Sequence, residues 1–107
     1  MLREDPWELR QNLRFSIVMS ALATELLAWK ICQEFKLDVT EKTPLGGLLK
    51  KLKSKLPSSV HQGAMKTNNA RILAVHPKGE EPTEQHAINA LLGATRFYIW
   101  NYHRREQ

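Results

Sequence analysis

At 107 residues, with 42% hydrophobic and 25% charged side chains, the chain has the size and balance of one globular domain over 1–107. Its net charge is +5 and uneven: Lys42 to Gly79 contains no Asp or Glu, but holds Lys42, Lys50, Lys51, Lys53, Lys55, Lys66, Arg71 and Lys78. That balance argues against disorder, no uninterrupted apolar run approaches the roughly eighteen residues of a membrane span, and "MLREDPWELRQN" lacks the charged-then-apolar pattern of a secretory signal. The single cysteine, Cys32, has no partner for an internal disulfide and no second cysteine for a metal site. It reads as a buried structural thiol in a cytoplasmic protein that has no contact with membranes.

The first predicted element opens at "DPW". Asp5 is placed to cap free backbone amides, and Pro6 suits the first helical position. Leu9, Leu13, Ile17, Ala21, Leu22, Leu26, Trp29 and Phe35 recur at helical spacing, and no Gly or Pro intervenes before Pro44. A helix of about thirty residues, roughly 45 Å long, is expected. Its apolar positions are too many for one narrow seam, so one side should meet the core and another a second chain.

The second element, "TPLGGLLKKLKSKLP", is expected to be capped by Thr43, to start at Pro44 and to stop at Pro57. Leu45, Leu48, Leu49, Leu52 and Leu56 form its core stripe, with lysines on the opposite side. The third begins near "SSVHQ", where Ser59 and Gln62 have capping-box spacing. It carries Val60, Ala64, Ile72, Leu73 and Val75 before His76-Pro77. After the breaker loop "PKGEEP", Thr83 caps a fourth helix whose stripe is Ile88, Leu91, Leu92, Thr95, Ile99 and Tyr102. No segment alternates apolar and polar residues, so strands are not supported. The expected fold is all-α: an antiparallel bundle of about four helices with a long first helix.

The lysine-rich middle of the chain fits an anionic partner, of which nucleic acid is the commonest, or a solvated face that keeps the protein dispersed. Within it, "ARILAVHPKGEEP" sets Arg71 five residues before His76. On a continuous helix these diverge by about 140°. Pro77 disfavours helical geometry at His76, so the helix should end near Val75 and free the imidazole to swing. An arginine beside a histidine suits RNA phosphodiester cleavage without a metal. Imidazole transfers protons near neutrality, and guanidinium binds phosphate oxygens through two parallel bonds. No His and carboxylate cluster has metal-ligand spacing, so no metal or cofactor is expected. The pair Arg96 and His103 reads as structural or chain-end surface, and His61 and His86 as exposed residues at helix starts.

These residues resemble the HEPN ("higher eukaryotes and prokaryotes nucleotide-binding") family, a helical bundle whose motif is an arginine, four to six residues, then a histidine. "RILAVH" matches with four between. A long first helix ("FSIVMSALATELLAWKICQEF"), a leucine-rich segment ("LGGLLKKLKSKLP"), a motif helix ending "AVHP" and a final helix after "KGEEPTEQHAINALL" follow the same order. The resemblance spans most of the chain and is nearest to prokaryotic defence and toxin-like members. It implies a metal-independent endoribonuclease acting as a homodimer, with Arg71 and His76 catalytic and RNA as substrate, in a toxin–antitoxin or larger defence system. Lys66, Asn68, Asn69 and Lys78 are the candidate RNA-binding residues around the pair. Ile72 departs from the pattern, which usually has a polar residue after the arginine; Asn68 and Asn69, one turn earlier, are the candidates to replace it. Lys78 stands where one toxin subgroup has tyrosine. The alternative is a non-catalytic helical dimerisation or interaction module.

Overall fold

The computed structural model describes residues 5–76 and 81–106. Among them the chain forms four helices and no strand: α1 (Pro6–Glu34), α2 (Leu45–Leu52), α3 (Ser58–Val75) and α4 (Glu84–Arg105). The all-helical expectation and the long first helix both hold. Asp5 caps α1, its carboxylate accepting the Trp7 amide at 2.7 Å. The helix ends in a Schellman arrangement, with the Lys36 N–H on Gln33 O and the Leu37 N–H on Cys32 O. Lys36 takes the left-handed position, φ 56°.

The second helix is shorter than expected. Pro44 is its N-cap, and Thr43 does not cap it. The Thr43 hydroxyl instead accepts the Thr40 N–H at 2.9 Å and closes the preceding turn. The helix stops at Leu52, so Pro57 ends no helix but serves as the N-cap of α3. The Ser59–Gln62 capping box is also absent; Gln62 Nε2 donates to the Ser58 hydroxyl. For α4 the cap is as expected. Thr83 Oγ1 accepts the His86 N–H, and His86 Nδ1 accepts the Thr83 N–H, a reciprocal box with histidine in the usual Glu position.

Three cross-chain pairs set the directions. Arg14–Glu81, Ala23–Tyr98 and Glu34–Arg104 advance together, so α1 and α4 run parallel. Thr67 Oγ1 donates to Ala90 O at 2.8 Å, and Gly63 meets Gly93, so α3 is antiparallel to α4. α2 packs on α1 and α3 but not on α4. Its leucines Leu45, Leu48, Leu49 and Leu52 are fully buried with Ile31, Cys32, Ala64 and Phe97. Each such leucine contributes about 2 kcal/mol of burial. A second, smaller core joins Ile17, Ala70, Ala74 and Ala90.

The core faces of α3 and α4 differ from the stripes expected of them. α4 buries Ala90, Gly93, Ala94 and Phe97, whereas Ile88, Leu91, Leu92, Ile99 and Tyr102 are exposed. α3 buries Val60, Gly63, Ala64, Thr67 and Ala70, while Ile72 and Val75 are exposed. The reason is the closeness of the two helices. A Cβ at Gly93 would overlap the Gly63 carbonyl oxygen and Thr67 Oγ1. Only small residues fit at that contact, so Ile88, Leu91, Leu92 and Ile99 are turned outward, while Phe97, beyond it, is buried.

Candidate nucleic-acid interface

α3 ends at Val75, and His76 is extended at φ −81°, ψ 123°, the conformation a following proline imposes; Pro77 itself lies outside the described residues. The imidazole of His76 is exposed. Arg71 lies four residues after buried Thr67 and three before buried Ala74, so it projects from the core-facing side of α3 near its end. It is accordingly half-buried. Among the described residues no carboxylate pairs with it, whereas Arg14 pairs with Glu81 and both Arg104 and Arg105 with Glu34.

The other described candidates separate into two directions. Lys66 and Asn69 face α4. Together with His86, Asn89 and Arg96 they line two adjoining depressions between α3 and α4, of about 150 and 180 Å³, with Lys66 and Asn89 shared by both. No carboxylate lines either depression. Asn68 points elsewhere: it is 6% exposed, with its amide beside Gly46 of α2, and so is held between helices. Lys78 lies outside the described residues. Arg71 and His76 line neither depression. The arginine–histidine pair and the cationic groove are thus distinct features on one helix.

Sequence reasoning missed three groove residues. His86, Asn89 and Arg96 fall at i, i+3 and i+10, one face of α4, and that polar stripe is visible in the sequence once the stripe of large apolar residues is not assumed to be the core. His61 is also no free helix-start residue; its Nε2–H donates to Leu49 O at 2.9 Å, satisfying a carbonyl in the last turn of α2. His103 stands edge-on to Tyr102 and Arg96 is exposed, consistent with a surface position for that second pair. No group of three His, Cys, Asp or Glu side chains able to hold a metal occurs among the described residues. Cys32 is buried near Leu48 O, and desolvation pushes its thiol pKa up.

α1 is long and apolar enough by length and composition to cross a membrane, contrary to the sequence expectation, but its inner face is buried in the bundle. Compared with known proteins, the chain matches no family model, no curated protein and no solved structure.

Proposed function

We propose that this chain is a HEPN-like RNA-binding domain. The observation that supports it is the carboxylate-free groove between α3 and α4, in which Lys66 and Arg96 supply cations and Asn69 and Asn89 supply amide donors. Phosphate oxygens are satisfied by such side chains, and the amides add bonds to sugar or base edges. An RNA strand in the groove runs along α3 towards its C-terminal end, where Arg71 and His76 lie.

Cleavage there is internal transesterification. The 2′-oxygen bonds to the adjacent phosphorus and the bond from phosphorus to the 5′-oxygen breaks, leaving a 2′,3′-cyclic phosphate. One proton leaves the 2′-hydroxyl and one reaches the departing 5′-oxygen. His76 carries one of these transfers, solvent water carries the other, and Arg71 offsets the charge that develops on the phosphate oxygens. The cellular setting that goes with this reading is prokaryotic defence or a toxin–antitoxin pair in the cytoplasm. A second reading, a non-catalytic interaction module, is favoured by the separation of Arg71 and His76 from the groove.

The test uses fluorescence anisotropy with labelled single-stranded and hairpin RNA in EDTA. Lys66→Glu with Arg96→Glu should weaken binding at least about tenfold, as loss of two phosphate contacts does. Cyclic-phosphate ends produced by wild type and absent with His76→Ala establish the nuclease. Undiminished binding by the double variant removes the groove from consideration, and binding without cleavage leaves the domain a non-catalytic RNA binder.

A further inference from the structure

Glu25 is a charged residue in an apolar row of α1. The row Leu22, Glu25, Leu26, Trp29 falls on one face at helical spacing. It forms one wall of a hollow of about 410 Å³ between α1, the loop that follows it and α2. Fully buried Leu48 lies at the base, and Glu41 and Thr43 of the loop close the other side. The loop is fixed by its own bonds. The Thr43 N–H donates to Thr40 O at 3.0 Å, the Thr40 N–H to Thr43 Oγ1 at 2.9 Å and the Lys42 N–H to Thr40 Oγ1 at 3.2 Å, so the backbone that carries Glu41 is held in place. Glu25 and Trp29 are half-buried. Among the described residues neither Glu25 nor Glu41 makes an ion pair, although the chain carries a net charge of +5 and Glu34, further along the same helix, holds both Arg104 and Arg105. Lys42 lines an adjoining hollow that shares Trp29 and Glu41, and does not line this one.

We propose that the hollow binds a small organic ammonium ion, an amine carried on an aromatic or aliphatic body. The charge selects the head. Two unpaired carboxylates attract a cation and repel an anion, and an ammonium has donors for both. The Trp29 ring adds the face to which cations are drawn most strongly among aromatic side chains. The walls select the body. Leu22, Leu26 and Leu48 give hydrocarbon an apolar seat that a bare metal ion would leave uncovered, and no three-ligand metal group occurs among the described residues. A neutral apolar molecule would strip water from the carboxylates and return no bonds to them. The volume lies within the range of about 300–1,000 Å³ that small-ligand pockets occupy. The hollow shares no residue with the groove between α3 and α4, so this inference does not rest on RNA binding and either can fail without the other.

Heteronuclear NMR of the isotope-labelled full chain, titrated with phenethylammonium chloride, tests it. The Trp29 indole N–H signal, identified by its loss in Trp29→Phe, should move with a dissociation constant below about 1 mM, while the signals of Trp7 and Trp100 stay in place. Phenethyl alcohol, which keeps the body without the charge, and phenylpropionate, which reverses the charge, should bind at least about tenfold more weakly. Glu25→Gln with Glu41→Gln should weaken phenethylammonium binding at least about tenfold with helical circular dichroism retained, since the amide keeps the shape of the carboxylate and removes its charge. Lys66→Glu with Arg96→Glu should leave that binding unchanged. No saturable shift at Trp29 up to about 10 mM ligand, equal binding of the alcohol, or undiminished binding by the glutamine pair overturns the proposal. So does tighter binding of Nα-acetyl-lysine amide, a peptide's cation without the aromatic body, which would assign the hollow to a protein partner.

Discussion

Lys36 shows how a single residue terminates a helix where the sequence offers no punctuation. Its left-handed backbone closes α1, and both Schellman bonds depend on it. A lysine there bears the steric cost of its Cβ, which glycine does not. Lys36→Gly should therefore stabilise the protein by about 1 kcal/mol in urea unfolding. At Cys32, burial raises the thiol pKa above its ordinary 9.0, so the folded chain keeps a proton that the unfolded chain loses. Stability from this group is intact below about pH 9 and declines as pH rises from there towards the folded value. In native protein at pH 8, Cys32 should resist maleimide over a time in which urea-unfolded chain is fully labelled; equal rates would show that the α1–α2 core opens freely.

At the scale of elements, the seam between α3 and α4 decides the arrangement of the molecule. Gly63 and Gly93 let the two backbones approach, and Thr67 ties them through Ala90 O. Gly93→Ala places a methyl group against backbone, which cannot move without separating the helices. The expected loss is about 2–4 kcal/mol, well beyond the gain of up to about 1 kcal/mol that Gly→Ala brings inside an unstrained helix. Thermal unfolding of Gly93→Ala beside Gly47→Ala measures the difference, because a Cβ at Gly47 meets only side-chain atoms of Thr43 and Pro44. α2 needs no such seam, and its stripe of four leucines, with Leu56 buried just after the helix, is legible because large apolar side chains point where size alone predicts.

For the whole molecule, the cations lie in more than one place. Lys66 and Arg96 line the groove between α3 and α4, whereas Lys50, Lys51, Lys53 and Lys55 lie on and after α2, which makes no close backbone approach to α4. If the groove holds RNA backbone, the logarithm of affinity falls linearly with the logarithm of salt, with a slope near −0.7 for each phosphate neutralised on a single strand. Lys66→Glu with Arg96→Glu should flatten that slope by about one to two units, while Lys50→Glu with Lys53→Glu should change it less. Equal flattening by both pairs would show binding by diffuse charge rather than by the groove.

From the sequence alone come the four helices, the Asp5 and Thr83 caps, the leucine stripe of α2, and the end of α3 at Val75. Each rests on signals within a few residues: a capping side chain, a proline, a 3.6-residue period. What only the tertiary structure decided is which face of α3 and α4 is inside, and therefore which candidate site residues share a surface. Periodicity reports that a helix has apolar positions. It does not report how close the neighbouring helix lies, and here a glycine contact reserves the stretch around Gly63 and Gly93 for small residues, while Phe97, one turn on, is buried with the α2 leucines. That contact buries Ala90 and Ala94, turns Leu91 and Ile99 to solvent, and brings Lys66 to Arg96. The packing of α2 on α3 then withdraws Asn68 from solvent, while Arg71 and His76 remain beyond the groove at the helix end.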